Sequence, residues 1–209
     1  MKEGIDHYKQ YLGNRFNTLR YAFESFKTNA GQTIVELGTS RSFVSGGNEG
    51  CMSSDRKYWK PNDPSKWDWG AGIFTRMCAM HLQASRPEIH TVDCDPNAIE
   101  ISKVISAEYR ELITYHVVTS ESFLKSFEGK IDFLYMDAGE TENGAAQLHL
   151  RESKIAIDRG LFSAKAIVLI DDVTIPGRKE SKGTHSIPYL TAHHFKVQRL
   201  DYQAVLQRC

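Results

Sequence analysis

The sequence predicts an α/β protein in which helices cover both faces of a mostly parallel β-sheet. Short apolar runs of strand length alternate along the chain with longer segments whose apolar residues recur every three or four positions. This alternation is typical of parallel strands joined by helical crossovers. The chain has 209 residues, 41% of them hydrophobic and 25% charged, which favours a single globular domain over residues 1–209.

The predicted elements follow one another in a regular order. An N-terminal helix over 5–27 is expected to form a cap within residues 1–31, over an edge of the sheet or the mouth of a site. Strands are predicted at 33–37, 88–93, 112–118, 131–136, 166–170, 196–200 and 203–207. Helices are predicted at 73–83, from Pro96 onward, and at 120–127, 144–159 and 188–193. Because two residues separate the last two strands, we expect a hairpin or a bulged pair there.

The connection after the first strand, residues 41–69, is unusually long and contains all three tryptophans, Trp59, Trp67 and Trp69. Connections of this length in a compact domain are usually functional or disordered. Three tryptophans favour order, because aromatic side chains bury large areas when they pack. We interpret the segment as an ordered insertion that caps a site. A structural flap without substrate contact is the alternative.

The composition excludes several classes of function. Lys plus Arg and Asp plus Glu both number 26, which argues against a general electrostatic nucleic-acid binder. The longest apolar run, 166–170, is too short to span a bilayer, and residues 1–10 show no signal peptide. The four cysteines form no CxxC pair, so we expect reduced thiols in a cytoplasmic protein.

The basic run 178–182 is interpreted as a solvated loop, with a phosphate or acidic-substrate contact as the alternative.

Polar residues and a glycine lie at the carboxyl ends of five successive predicted strands, where open parallel sheets bind their ligands. They are Glu36 and Gly38, Asp93, Ser120 and Glu121, Asp137, and Asp171 with Asp172. Asp93 stands where an acid accepts hydrogen bonds from ribose hydroxyls. It lies 55 positions after Gly38, or 26 without the 29 positions of 41–69, close to the spacing of about 20 in dinucleotide-binding folds. The alternative is that Asp93 merely precedes Asp95, the predicted helix N-cap.

Asp137, Asp171 and Asp172 are the strongest signal, because a right-handed crossover would make their strands neighbours. Two like charges 4 Å apart cost about 4 kcal/mol at an effective dielectric near 20, so protonation or a cation must relieve the repulsion. A divalent cation that prefers oxygen ligands, such as Mg²⁺, is the simplest answer. Alternatively, one or more of the aspartates point into solvent or cap the following turn.

With these strand-end residues, the chain resembles the class I S-adenosylmethionine-dependent methyltransferases. Among them it is most similar to the metal-dependent O-methyltransferases of the catechol and caffeoyl-CoA type. The motifs that carry the resemblance are Val-Glu-Leu-Gly-Thr-Ser (35–40), Thr-Val-Asp-Cys-Asp-Pro (91–96), Phe-Leu-Tyr-Met-Asp-Ala (133–138) and Leu-Ile-Asp-Asp-Val-Thr-Ile-Pro-Gly (169–177). The last motif is the most specific. The resemblance implies a Rossmann-like sheet of seven strands whose last strand is antiparallel.

The resemblance also implies roles for individual residues. S-adenosylmethionine would contact Glu36, Gly38 and Thr39 with its methionine moiety, Asp93 with its ribose, and Cys94, Ser120 and Glu121 with its adenine. Mg²⁺ would bind Asp137, Asp171 and Asp172 and acidify a substrate hydroxyl, whose oxyanion attacks the sulfonium methyl group.

The chain departs from the family pattern in two places. Many relatives have a lysine base three residues beyond the aspartate that ends strand four, and here that residue is Glu140. Either Glu140 is the base or the substrate needs none. The glycine loop is split by the insertion, and either Gly70 and Gly72 or the segment from Ser40 to Ser42 completes it.

The leading hypothesis is a Mg²⁺-dependent O-methyltransferase of a small hydroxylated molecule. The alternatives are a metal-independent methyltransferase with the carboxylates as general bases, and a cofactor-binding module without catalysis. A nicotinamide dehydrogenase is disfavoured because no Gly-x-Gly-x-x-Gly follows the first strand. The expected partner is a small-molecule methyl acceptor, without nucleic acid or membrane, and a homodimer is compatible with this interpretation.

Overall fold

The computed structural model of the protein describes residues 4–46, 49–70, 73–139, 144–175, 177 and 179–209. Within these residues, seven strands form one sheet in the order β3-β2-β1-β4-β5-β7-β6. The strands are β1 (Thr33–Leu37), β2 (Glu88–Asp93), β3 (Ile113–Val117), β4 (Ile131–Met136), β5 (Phe162–Ile170), β6 (Phe195–Leu200) and β7 (Ala204–Arg208). Strands β1 to β5 are paired in parallel, and β7 is antiparallel to both β5 and β6. The predicted Rossmann-like, mostly parallel sheet is confirmed.

Helices lie on both faces of this sheet. They are α1 (Lys9–Leu12), α2 (Phe16–Thr28), α3 (Phe74–Leu82), α4 (Pro96–Ile105), α5 (Ser120–Ser126), α6 (Ala145–Asp158) and α7 (Ser186–Ala192). The predicted cap of α4 is confirmed, because the Asp95 carboxylate accepts a hydrogen bond of 2.8 Å from the amide of Asn97. Among the described residues, no helix has both the length and the apolar character needed to cross a membrane.

Two boundaries differ from the sequence prediction, each for a local reason. The predicted N-terminal helix is broken, because Gly13 has a φ of +52° and separates α1 from α2 through a 3₁₀ turn. Strand β5 begins at Phe162 instead of residue 166, because Phe162 pairs with Ile131 before the register shifts between Ile131 and Phe133. Its first residues are partly polar, which hides them from a pattern based on apolar runs.

Alternating side chains of the strands supply two apolar clusters, one on each face of the sheet. Ile34, Phe133 and Ile167 belong to the cluster that includes the N-terminal helices and α3. Val35 and Leu134 belong to the cluster that includes α5 and α6. Because the strands are covered on both faces, their polar ends are the exposed part of the sheet on which a ligand site can form.

The insertion over 41–69 is held by packing of its tryptophans. Trp67 is 1% exposed and stacks on Tyr8, Trp59 and Trp69 with ring centroids 5.1 to 5.5 Å apart. Its indole N–H donates to the carbonyl of Lys60 over 2.7 Å. The predicted order is confirmed for the described residues of this segment, 41–46 and 49–69, and Trp67 and Trp69 pack against Tyr8 and Tyr11 of the N-terminal segment.

Candidate functional site

The ends of β1 and β4 approach each other closely at Gly38. Its φ is +85°, and a Cβ atom built there would lie 2.7 Å from the backbone nitrogen of Ala138. A side chain at this position would collide with the backbone, so only glycine allows the turn. The close approach brings Asp137, at the end of β4, beside the turn that follows β1.

A cavity of about 190 Å³ opens at these strand ends. Its lining residues are Gly38, Thr39, Arg41, Gly70, Asp93, Asp137, Ala138, Gly139, Asp172 and Lys182. Five predicted site residues are therefore brought together around one space. Two others, Gly72 and Glu140, lie outside the described residues, so their predicted roles stay predictions.

A larger cavity of about 450 Å³ lies on the insertion, lined by Val44, Tyr58, Lys60, Pro61, Asn62, Asp63 and Lys66. It contains none of the predicted site residues. We place the candidate site in the smaller cavity, because its lining includes converging carboxylates and a buried ammonium, which give the means for chemistry.

Asp93 lines the cavity and also supports the turn that caps α4, while its predicted contact with a ribose stays a prediction. Its Oδ2 accepts a hydrogen bond of 3.0 Å from the amide of Thr39. Its Oδ1 accepts one of 2.8 Å from the amide of Asp95, which caps α4. The carboxylate therefore ties the turns after β1 and β2 together while one edge of it faces the cavity.

Glu36 is fully buried and does not line the cavity, whereas Thr39, which contacts the Glu36 carboxylate at 3.3 Å, does. The predicted contact of Glu36 with the cofactor stays a prediction. Thr75 also donates to this carboxylate. Burial raises the pKa of Glu36 to about 8, although the hydroxyls of Thr75, Thr91 and Thr39 oppose the shift. Its Oε1 atom has no hydrogen-bond partner among the described residues.

The four remaining residues predicted to contact the cofactor lie outside the lining of this cavity. Ser40 is buried, Cys94 is exposed, and Ser120 begins α5 with 9% of its surface exposed. Glu121 accepts two hydrogen bonds from Arg151, of 3.1 and 3.3 Å. Their contact with a nucleoside stays a prediction.

The predicted convergence of three aspartates is confirmed. Carboxylate oxygens of Asp137, Asp171 and Asp172 lie within 4.8 Å of one another. Asp171 is 1% exposed, so its charge is out of contact with water. Asp172 has a φ of +51°, a left-handed conformation that costs a non-glycine residue about 1 kcal/mol or more. The surrounding contacts must supply that energy.

One partner of the cluster, Arg15, comes from the turn between α1 and α2. Its Nε donates to both oxygens of Asp171 over 3.2 and 3.1 Å, and its NH2 group lies 3.6 Å from Asp172. The hydroxyl of Tyr135 also donates to Asp171 over 3.1 Å, and that of Tyr202 donates to Asp172. Sequence reasoning missed Arg15, which lies 156 positions from Asp171.

The second partner is Lys182, and for this residue the prediction of a solvated basic loop was wrong, whereas Lys179 and Glu180 of the same run are exposed. Lys182 is 4% exposed, and its Nζ donates to Oδ1 of Asp137 over 2.5 Å and to the carbonyl of Asp137 over 3.1 Å. The same atom lies 3.2 Å from Oδ2 of Asp172. A lysine can be buried here because two carboxylates compensate for the loss of its hydration.

These partners set the protonation of the cluster. Burial and the charge of Asp171 raise the pKa of Asp137 to about 6, although Lys182 opposes the shift. Burial alone would also raise the pKa of Asp172, but Lys182, Tyr202 and Arg15 hold it below its ordinary value. Burial would lower the pKa of Lys182, but Asp137 and Asp172 raise it. The cluster therefore pairs an ammonium and a guanidinium with three acids.

Comparison with known proteins identifies the family of this chain. Residues 69–173, which are 105 of the 209 residues, match the family described as methyltransferase domain. None of the curated proteins compared with this chain matches it.

Two solved structures share the fold at low sequence identity. One is the SAH-bound Podospora anserina methyltransferase PaMTH1, 18% identical, with a TM-score of 0.59 over 94% of this chain and 79% of that one. The other is the O-methyltransferase from Bacillus cereus in complex with SAH, 10% identical, with a TM-score of 0.57 over 92% and 81% of the two chains. At these identities the likeness shows the fold alone. With half of its residues matched by the family and a sheet of this topology, the chain belongs to the methyltransferase domain family and is a class I methyltransferase.

Proposed function

We propose that the protein transfers the methyl group of S-adenosylmethionine to a hydroxyl oxygen of a small molecule. One observation carries the proposal: Gly38, Thr39 and Asp93 line the same cavity as the carboxylates of Asp137 and Asp172. A nucleoside-binding acid and a cluster able to take a proton therefore share one space. SAH, the product that S-adenosylmethionine leaves after methyl transfer, is bound in both related structures and supports this choice of cofactor.

In the proposed complex, Asp93 accepts hydrogen bonds from the ribose hydroxyls. Each of its oxygens already accepts one backbone N–H, and a carboxylate oxygen has a second lone pair available. The turn at Gly38 and Thr39 lets the methionine part of the cofactor approach the backbone, because no side chain projects at residue 38. These residues would hold S-adenosylmethionine in the cavity that Asp137 also lines, and the bound cofactor would supply the methyl group.

The acceptor hydroxyl would donate a hydrogen bond to Asp137. As its oxygen forms a bond to the methyl carbon, the carbon–sulfur bond breaks and its electron pair stays on sulfur, which leaves as S-adenosylhomocysteine. The hydroxyl proton passes to the Asp137 carboxylate and then to water. Holding the two reactants in line supplies the larger part of the rate enhancement, and proton transfer to a positioned base adds about 10²–10⁴-fold.

Mg²⁺ dependence is the second candidate, and the proximity of Asp137, Asp171 and Asp172 favours it. Three carboxylates are a donor set that Mg²⁺ accepts, with water completing an octahedron. As arranged, however, the set does not fit a free divalent ion, because Arg15 and Lys182 already contact its oxygens. A metal ion would require the ammonium of Lys182 to withdraw from Asp137 and Asp172.

The test is binding followed by turnover. S-adenosylmethionine at 100 times its dissociation constant should stabilise the fold by about 2.7 kcal/mol and raise the melting temperature by several degrees. Asp93→Asn should weaken that binding at least tenfold. Asp95→Asn is the matched control, because an asparagine can still accept the capping bond from Asn97.

Radiolabelled methyl transfer to a panel of small phenols, catechols and aliphatic alcohols then tests the reaction. Transfer to at least one hydroxylated acceptor is expected. Unweakened binding in Asp93→Asn would contradict the cofactor geometry. Tight cofactor binding without transfer to any acceptor would favour a binding module without catalysis.

A further inference from the structure

The carboxylate cluster contacts two cations of the same chain, Arg15 and Lys182, which offset two of its three acids. Each of its six oxygens lies near a donor of another side chain. Asp171 offers both of its oxygens to Arg15, and one of them also to Tyr135. The second oxygen of Asp137 accepts from Tyr135 over 3.5 Å. The hydroxyl of Tyr202 donates to Oδ1 of Asp172. The ammonium of Lys182 contacts Oδ2 of Asp172 and Oδ1 of Asp137.

The two cations together have the charge of one divalent ion. A Mg²⁺ ion needs carboxylate oxygens at about 2.0–2.1 Å in near-octahedral geometry. Nζ of Lys182 instead lies 2.5 Å from Asp137 and 3.2 Å from Asp172, between the two acids that a bridging ion would use. The ammonium both fills that position and repels a second cation.

We infer that the ammonium of Lys182 takes the place of a divalent cation between Asp137 and Asp172, so that this site works without metal. Lys182 is then a positioning residue, which fixes the Asp137 carboxylate where the acceptor hydroxyl binds. The exclusion of metal stands on the contacts alone, whereas the positioning role rests on the proposed function.

Mn²⁺ binding, followed by electron paramagnetic resonance and titration calorimetry, tests the inference without any need for turnover. The wild-type protein should bind Mn²⁺ no more tightly than its Asp137→Asn variant does. Lys182→Met removes the ammonium and keeps much of the apolar stem, so it should bind Mn²⁺ at least tenfold more tightly than the wild type. Adding Asp137→Asn to Lys182→Met should remove the gain.

Lys179→Met is the matched control, because Lys179 is an exposed lysine of the same loop. It should leave Mn²⁺ binding as in the wild type. A wild-type site that Asp137→Asn abolishes would overturn the inference, and so would a folded Lys182→Met variant that gains no Mn²⁺ affinity. If Lys182→Met does not fold, the Mn²⁺ affinities of the wild type and of Asp137→Asn still test whether the wild-type site excludes the metal.

A second measurement tests the positioning role, once an acceptor is known. Wild-type methyl transfer in excess EDTA should stay within twofold of the rate without chelator. Lys182→Met should lower kcat more than it raises KM. Failure of the proposed function looks different, because it would leave the Mn²⁺ results intact while no acceptor is methylated.

Discussion

Two buried acidic sites at the same edge of the sheet meet the cost of burial in different ways. At the end of β1, Glu36 is surrounded by threonine hydroxyls, and burial raises its pKa to about 8. At the ends of β4 and β5, the aspartate cluster contacts Arg15 and Lys182, and these cations help to hold the pKa of Asp172 below its ordinary value. At neutral pH, Glu36 in the first site keeps its proton, and Asp172 in the second site stays ionised.

The two sites differ in whether a cation lies next to the buried carboxyl group. Hydroxyl groups satisfy part of a carboxyl group but do not balance its charge, so a buried acid among them becomes neutral. Ammonium and guanidinium groups balance the charge and leave carboxylates able to accept a proton. Accordingly the neutral acid lies beneath the cavity, whereas Asp137 and Asp172 line it.

The largest expected effect is on turnover. Asp137→Asn removes the proposed proton acceptor and should slow methyl transfer by about 10³-fold. Asp132→Asn, at the opposite end of β4, is the matched control, because an asparagine can still accept the bonds that Asp132 takes from the amides of Gln32 and Thr33. Equal rates for the two variants in a radiolabel assay would remove Asp137 from the chemistry.

The next effect is on stability. Asp171→Ala leaves the guanidinium of Arg15 without its main partner and should lower the free energy of unfolding by about 3 kcal/mol. Combining it with Arg15→Met should recover a large part of that loss, because no buried charge is then left unpaired. Urea denaturation measures all three variants. Strictly additive losses would show that the pair is not coupled.

A smaller effect, with a definite pH dependence, is expected at Glu36. The folded state raises its pKa above that of the unfolded chain, so its contribution to stability is complete below about pH 4.5 and is lost as the pH rises toward 8. One pH unit in this window is worth about 1.4 kcal/mol. Relative to Glu36→Gln, the wild type should therefore lose about 2 kcal/mol of unfolding free energy between pH 6 and pH 7.5. Parallel pH profiles for the two proteins would contradict a neutral Glu36.

The smallest effect is expected at a solvent-exposed ion pair. Lys103 contacts Glu100 at 2.7 Å, and both side chains are more than 40% exposed. Glu100→Gln should change the free energy of unfolding by no more than about 0.5 kcal/mol. A loss comparable to that of Asp171→Ala would show that burial is not what distinguishes the aspartate cluster.

The sequence predicts where the acids of the site lie in the fold, but not which basic residues contact them. Strand ends follow from apolar runs and turn residues, and these patterns suffice to place Asp93, Asp137, Asp171 and Asp172 at one edge of the sheet. Arg15 lies 156 positions from Asp171, and Lys182 lies 45 positions from Asp137 and 10 from Asp172. Contacts across these separations depend on the fold and follow from no local pattern. A basic run in a loop looks solvated unless the fold turns one of its members inward.

The burial of Glu36 was hidden for a related reason. Its threonine partners lie in three separate segments: Thr39 after β1, Thr75 in α3 and Thr91 in β2. Only the sheet and its crossovers bring these hydroxyls together. Polarity at a strand end therefore predicts where a site forms, while the charge state of each acid depends on tertiary contacts.

The most direct test of this account is a carboxyl ¹³C NMR titration of Glu36 and Asp172 in the same sample. We predict that Glu36 is protonated at pH 7, with a midpoint near pH 8, and that Asp172 titrates below its ordinary value of 3.8. A Glu36 midpoint near 4.5, or an Asp172 midpoint above 3.8, would contradict the assignment of a neutral acid beneath the cavity and a charged cluster beside it.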